Sequence, residues 1–519
     1  MNDKDHHPLV PVPPGSLTQT TGGPHGVLAR MSSDVLAIAR AKEQARFKIG
    51  EHELRGPDYR QILRWAEALN LSPEQVLATL GVSKFQLEYG EMHVELGAVD
   101  GALSSLVWDL TKLPLGEFEW DDEVRIHTMA FLSDDPLQRL PRDLPPSLRT
   151  LVCAGLGLEG LDLSAVPHLS ALYCGLNPLA ELDLSAVPLL TMLDCLGGRL
   201  TELDLSAVPL LSTLRCDANP LTKLDLSAVP HLTTLTCHKS RIELDLSAVP
   251  RLTTLHCGEN RLTELDLSAV PRLTELRCGW NQLTELDLSA VPHLISLECR
   301  GDSGGRLTEL DLSAVPQLTS LECYRNDLTE LELSAVPQLT SLRCGGNPLT
   351  GLDLSAVPQL TILDCFGNQM TELDLSAVPQ LTALGCGQNQ LTELDLSAVP
   401  QLTSLGCDEN PLTKLDLSAV PQLTTLGCRY IRLTELDLSA VPLLTSLDCG
   451  QNQLTELDLS AVPQLTRLRC GQNRLTELDI RPLRQLSYLD EGDQLDVDSD
   501  MILPHRVIGT PPAGCSVTR

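Results

Sequence analysis

Residues Leu339–Gln359 read LTSLRCGGNPLTGLDLSAVPQ, and this 21-residue stretch recurs with small changes over about two-thirds of the 519-residue chain. It divides into two similar halves, LxxLxCxxNx of ten residues and LxxLDLSAVPx of eleven. In the first half Leu and Cys alternate, so one face of a strand carries the apolar side chains and the other points outward. Cysteines from Cys153 to Cys470 mark sixteen such turns, spaced 21 residues apart except for one gap of 20 (Cys237 to Cys257) and one of 24 (Cys299 to Cys323). SAVP occurs fifteen times, from Ser164 to Pro463. A unit too short to bury its own apolar face, repeated in register, stacks on its neighbours into a solenoid.

Composition agrees. Hydrophobic residues make up 42% of the chain and aromatic ones only 3%, as expected where narrow stacked turns are filled by Leu, Val and Ala. Seventeen cysteines could suggest a disulfide scaffold, but their spacing argues for a packing position. Sulfurs in adjacent turns would lie roughly 5 Å apart with parallel Cβ directions, whereas a disulfide needs about 2.05 Å. Buried free thiols are therefore expected, which suits a reducing compartment.

The pattern LxxLxLxxN resembles the leucine-rich-repeat signature, and the ten-plus-eleven nesting is similar to a bacterial class of that superfamily. Cys stands where that family usually has Leu. The resemblance implies right-handed coils with parallel strands. It also implies that the Asn three residues after Cys, present in eleven turns from Asn177 to Asn473, forms a ladder satisfying backbone groups at the bend. The LDL of the second half alternates in the same way, and a second short strand is expected there. The expected fold is a mainly β solenoid, right-handed, with parallel strands on both faces and weak curvature, preceded by a small α-helical N-terminal domain.

The pass along the chain gives five zones. Residues 1–31 read as a disordered segment, polar and rich in Pro and Gly. Residues 32–99 read as a small helical domain: Ser33 caps a helix through Asp34–Phe47, Pro57 starts another through Asn70, and Ser72-Pro73-Glu74 opens a third ending near Gly81. Its stretch Ser72–Glu88 faintly resembles a helix-turn-helix. Glu88 and Glu91 against one Lys84 are poor chemistry for a major groove, which favours a helical cap or docking domain. Residues 100–147 are expected to cap the solenoid, 148–490 to form about sixteen repeats, and 491–519 to be an acidic, flexible tail.

Charge has an address. The net charge is −31 and the pI about 4.7, which disfavours nucleic acid or an anionic membrane as partner. In the second half of the repeat, outward Glu recurs in twelve turns and Asp in fifteen, with Glu332 in the sixteenth. Those 28 acids against Lys223 and Lys414 give −26 from one face. A solubilising surface is the first reading. Cation binding or DNA mimicry is an alternative, although a flat ladder offers too few oxygens for a Ca²⁺ site, which takes about six to eight.

The first half varies instead, at the positions flanking each cysteine. Tyr173, Arg215, His256, Arg277, Arg343 and Arg469 stand just before Cys. Tyr324 and Arg325, Phe366, Arg429 and Tyr430 follow it, with Trp280 one residue further on than Gly279. Exposed aromatics and arginines on a rigid sheet are the material of protein-binding hot spots. These twelve residues form the candidate partner-binding set. No catalytic or metal site and no cofactor is expected: there is no phosphate loop or HExxH, and His168, His231 and His293 are too far apart to share a metal. Arg300-Gly301-Asp302, in the insertion after Cys299, reads as an irregular loop. No apolar run suits a membrane span or a secretory signal. The expectation is a cytoplasmic, monomeric scaffold for a protein partner, not an enzyme. The alternative is a secreted effector delivered to host cells, with residues 1–31 as its signal.

Overall fold

In the computed structural model the described residues are 140, 144–302 and 306–490, together with shorter segments at 46–49, 52–55, 85–89, 92–96, 105–109, 128–132, 494–495, 502–503, 506–512 and 515–518. The chain divides into two units, Met1–Leu232 and Thr233–Arg519. Each contains a run of parallel β-solenoid turns, and no helix occurs among the described residues.

In the first unit the ladder runs through Ser105–Asp109, Thr128–Leu132, Thr150–Val152, Ala171–Tyr173, Met192–Asp194 and Thr213–Arg215, each parallel to the next. The expected cap region thus contributes two strands to the ladder itself. In the second unit strands from Thr234–Thr236 to Arg467–Arg469 pair in the same way, with Leu opposite Leu at every step. The ladder continues through Tyr488–Asp490 to Ser516–Thr518, so part of the expected tail is incorporated into the sheet.

The helices expected over 34–47, 57–70 and 72–81 fall outside the described residues, except at Arg46 and Phe47. There the chain is extended: Arg46–Ile49 pairs antiparallel with His52–Arg55. The continuation of the helix-turn-helix reading is also extended, because Phe85–Tyr89 forms an antiparallel hairpin with Met92–Leu96.

Each turn encloses an apolar core. In the Cys344 turn, Leu339, Leu342, Cys344, Leu349, Leu354 and Val357 are all buried. Asn347 bridges two turns: its Nδ2 donates to the carbonyls of Cys344 at 2.9 Å and of Cys323 at 3.0 Å, and its Oδ1 accepts from Leu328 N at 3.2 Å. All eleven such asparagines are buried, as the ladder requires. A second ladder accompanies it. Thr340 Oγ1 donates to the carbonyl of Thr319 one turn back at 3.1 Å, and Thr361 Oγ1 to that of Thr340 at 2.9 Å. Ile295 takes this place in the Cys299 turn, where no hydroxyl is available.

The second half corrects one expectation. Its LDL segments are extended but form no strand, except Glu477–Asp479, which pairs with Arg506–Ile508. The chain that follows LDL is closed by local bonds. Asp353 Oδ1 accepts the amide of Ser355 at 2.9 Å, then Val357 N bonds Leu354 O and Leu360 N bonds Val357 O, both at 3.1 Å. Pro358 has no amide to offer. At Asp479 the sequence changes to LDIRPL, and there a strand forms.

Candidate partner-binding face

The Asp row of the second half therefore has a structural task. Each of its fifteen aspartates, from Asp162 to Asp479, accepts the amide two residues ahead, the bond that defines an Asx-turn. Where a shift is resolved, these bonds hold the carboxyl below its ordinary value, as at Asp266, Asp353 and Asp437, and Arg481 brings Asp479 to about 2. The spacing D-L-S was a visible signal for this. In the second unit a shallow groove of about 750 Å³ runs along the acidic half, lined by Glu264, Asp266, Glu285, Asp287 and Glu309 beside Leu265 and Leu286. Among the described residues no group of three or more His, Cys, Asp or Glu is arranged to hold a metal.

The sixteen repeat cysteines are free and buried. Burial pushes the thiols of Cys153, Cys257 and Cys323 up to about 12, and raises the others for which a shift is resolved. They remain protonated core residues, with no nucleophilic character.

The twelve candidate residues lie on the cysteine half, Tyr173 and Arg215 in the first unit and ten in the second. Two kinds of position emerge. Tyr173, Arg215, His256, Arg277, Arg343 and Arg469 end strands. Trp280, Arg325 and Tyr430 stand two residues after cysteine in left-handed backbone, with φ of 52°, 52° and 54°. Other turns place Gly346 and Gly367 there, at φ 68°. A bulky side chain in that conformation costs about 1–2 kcal/mol relative to glycine.

Several candidates already have partners within the chain. Glu275 binds both His256 and Arg277 at 2.9 Å, and Arg343 pairs with Glu322 at 3.1 Å. Asp448 lies between Arg429 at 3.7 Å and Arg469 at 3.5 Å. The Tyr324 hydroxyl donates to Asp364 Oδ2 at 2.7 Å, crossing the intervening Cys344 turn. That crossing needs Gly345, where a Cβ would meet the Tyr324 ring at 3.1 Å and the Phe366 carbonyl at 2.8 Å. Tyr430 bonds Gln451. Phe366, 44% exposed, and Tyr430, 47% exposed, remain the most open of the aromatic candidates.

Burial raises the carboxyls of Asp194, Glu298, Asp408 and Asp448 on this same half, opposite in direction to the Asx aspartates. One residue outside the candidate set belongs with it. Arg300 stacks over Trp280 at 4.6 Å and over Tyr324 at 5.6 Å from the ring centroids. In the sequence it reads only as part of a loop, because no sequence rule links a residue to rings one turn before and one turn after.

A stack of parallel 21-residue turns, Leu on the strand, Asn at the bend and the outward face left free to vary, is the architecture of a leucine-rich-repeat solenoid. No protein-family model matches the chain, and no curated protein does. Among solved structures, the functional domain of InlJ from Listeria monocytogenes, described as including a cysteine ladder, is 36% identical with a TM-score of 0.53, covering 63% of this chain and 69% of that one. This chain belongs to the same family of bacterial leucine-rich-repeat proteins. YopM from Yersinia enterocolitica (24% identical, TM-score 0.54, 80% of this chain and 95% of that one) shares the fold. So does a leucine-rich-repeat protein from Leptospira interrogans (20% identical, TM-score 0.53, 58% of this chain and 84% of that one). No helix among the described residues is long and apolar enough to cross a membrane.

Proposed function

We propose that the protein is a binding scaffold, not a catalyst, whose protein partner docks on the cysteine half of the turns. The observation that carries this reading is the contrast between halves. The acidic half repeats the same side chains, many of them engaged in Asx-turns. The cysteine half changes from turn to turn and keeps aromatics such as Phe366 and Tyr430 open to solvent. The ten candidates of the second unit form one patch in this reading. Sixteen buried free thiols favour a reducing, cytoplasmic setting.

The test is affinity capture with the wild type and a variant carrying Trp280→Ala, Tyr324→Ala and Phe366→Ala. Loss of a specific partner from the variant is expected. Equal recovery of every partner would sink the assignment.

A further inference from the structure

On the second unit, arginines beside the aromatic residues are mostly neutralised. Arg277 pairs with Glu275, Arg343 with Glu322 and Arg306 with Asp327. Arg300 and Arg325 are not, and both come from adjacent turns at the centre of the aromatic residues. No carboxylate among the described residues forms an ion pair with either.

Arg300 is the more constrained. Its guanidinium is flanked by the rings of Trp280 and Tyr324, and its Nε is buried without an acceptor. Glu298, two residues before it, is turned to the backbone instead, accepting from Arg300 N at 3.3 Å and Gly279 N at 3.4 Å. The surroundings are built to this shape. A Cβ on Gly279 would strike Glu298 at 2.1 Å, and one on Gly301 would strike the Arg325 carbonyl at the same distance. Arg325 is exposed in left-handed backbone, its stem within 3.2 Å of where a Cβ on Gly346 would stand. Cation–π contact holds a guanidinium flat but leaves its hydrogen-bonding edge unsatisfied, and that edge matches a carboxylate.

We propose that Arg300, clamped by Trp280 and Tyr324 and assisted by Arg325, is the receptor for a carboxylate side chain in an acidic segment of the protein partner. This rests on the protein-binding reading and names the chemistry its centre selects. The chain's own negative charge does not forbid it. The acid ladder lies on the other half of each turn, and exposed charges beyond about 8 Å are largely screened at physiological salt. A long polyanion would still meet that field, so a short acidic segment is the occupant that fits. The same stacking explains why Arg300-Gly301-Asp302 does not present an extended arginine arm.

The test uses the full chain and a hexaglutamate peptide, with hexaserine as control, followed by calorimetry and by the NMR resonance of the Arg300 Nε–H. Hexaglutamate is expected to bind and to move that resonance, and hexaserine to do neither. Arg300→Gln should weaken binding by at least about tenfold, the equivalent of one charge-assisted contact. Arg300→Lys should not restore it, because an ammonium lacks the planar fork. Arg325→Gln, at an exposed site where folding is not at stake, should give a smaller loss. Equal binding by wild type and Arg300→Gln, or no binding by wild type, overturns the proposal. The wider reading fails separately: it stands if the triple alanine variant loses its partner while hexaglutamate is ignored.

Discussion

Replacing Asn389 by alanine removes one rung of the asparagine ladder, and the structure says which groups are left without partners. Asn389 Oδ1 accepts from Met370 N at 3.0 Å, while Nδ2 donates to the carbonyls of Cys365 at 3.0 Å, Cys386 at 3.1 Å and Gly387 at 3.2 Å. The two cysteine carbonyls keep a second donor each, Asn368 Nδ2 at 2.8 Å and Asn410 Nδ2 at 3.0 Å. Met370 N has no substitute acceptor in the turn. A buried donor left unsatisfied costs about 1–3 kcal/mol, and loss of the weaker carbonyl contacts brings the expected total to about 2–3 kcal/mol. Asn389→Asp keeps the acceptor for Met370 but turns a carboxylate toward three carbonyls, so it should cost more than alanine at neutral pH. Guanidinium melts of both variants measure the totals. Hydrogen exchange at the Met370 amide reads the site itself, which matters where turns couple mainly to their neighbours. A loss below about 0.5 kcal/mol for Asn389→Ala, or an Asn389→Asp variant as stable as wild type at pH 7, would refute the ladder as a source of stability.

Two further outcomes follow from the titrating groups. Of the seventeen cysteines, sixteen are buried and Cys515 is half-buried, so a thiol reagent at neutral pH should label one thiol per native chain and all seventeen after denaturation. Rapid labelling of several would contradict the buried ladder. The Asx aspartates have folded values below their ordinary range, so their contribution is present above the unfolded value and is lost as pH falls through the folded one. For Asp479 that window runs from about pH 4 down to about 2, and Asp479→Asn should flatten the acid limb of a stability–pH curve there. An unchanged limb would remove the Asx-turn and its Arg481 partner from the account.

Much of the fold was legible because its determinants are periodic. Leu342 and Cys344 recur at fixed offsets, and period-two alternation assigns them to the interior without reference to anything distant, whereas the inward place of Asn347 follows only from the family resemblance. Alternation in LDL places Leu354 inward correctly, but alternation assigns a face and not a pairing partner, and only Glu477–Asp479 pairs in that half among the described residues. The hydroxyl ladder was missed because Thr340 sits at a position of intermediate exposure, where polarity needs no explanation. On the variable half the limit is different. That Tyr324 reaches Asp364 and that Arg300 stacks between two rings depends on side-chain length and on glycines in neighbouring turns, relations across 20 to 40 residues that no offset within one repeat contains.

The doubled acceptance at the cysteine carbonyls has a consequence for how such a chain can grow. Cys344 O takes one donor from its own turn, Asn347 at 2.9 Å, and one from the next, Asn368 at 3.2 Å. A copied 21-residue segment brings with it the donors its predecessor lacks and the acceptors its successor needs. Insertion or deletion of whole segments therefore leaves no buried backbone group stranded at the splice. In this repeat, hydrogen-bond closure makes duplication chemically silent, and the number of turns becomes a quantity that recombination can change without first solving a folding problem.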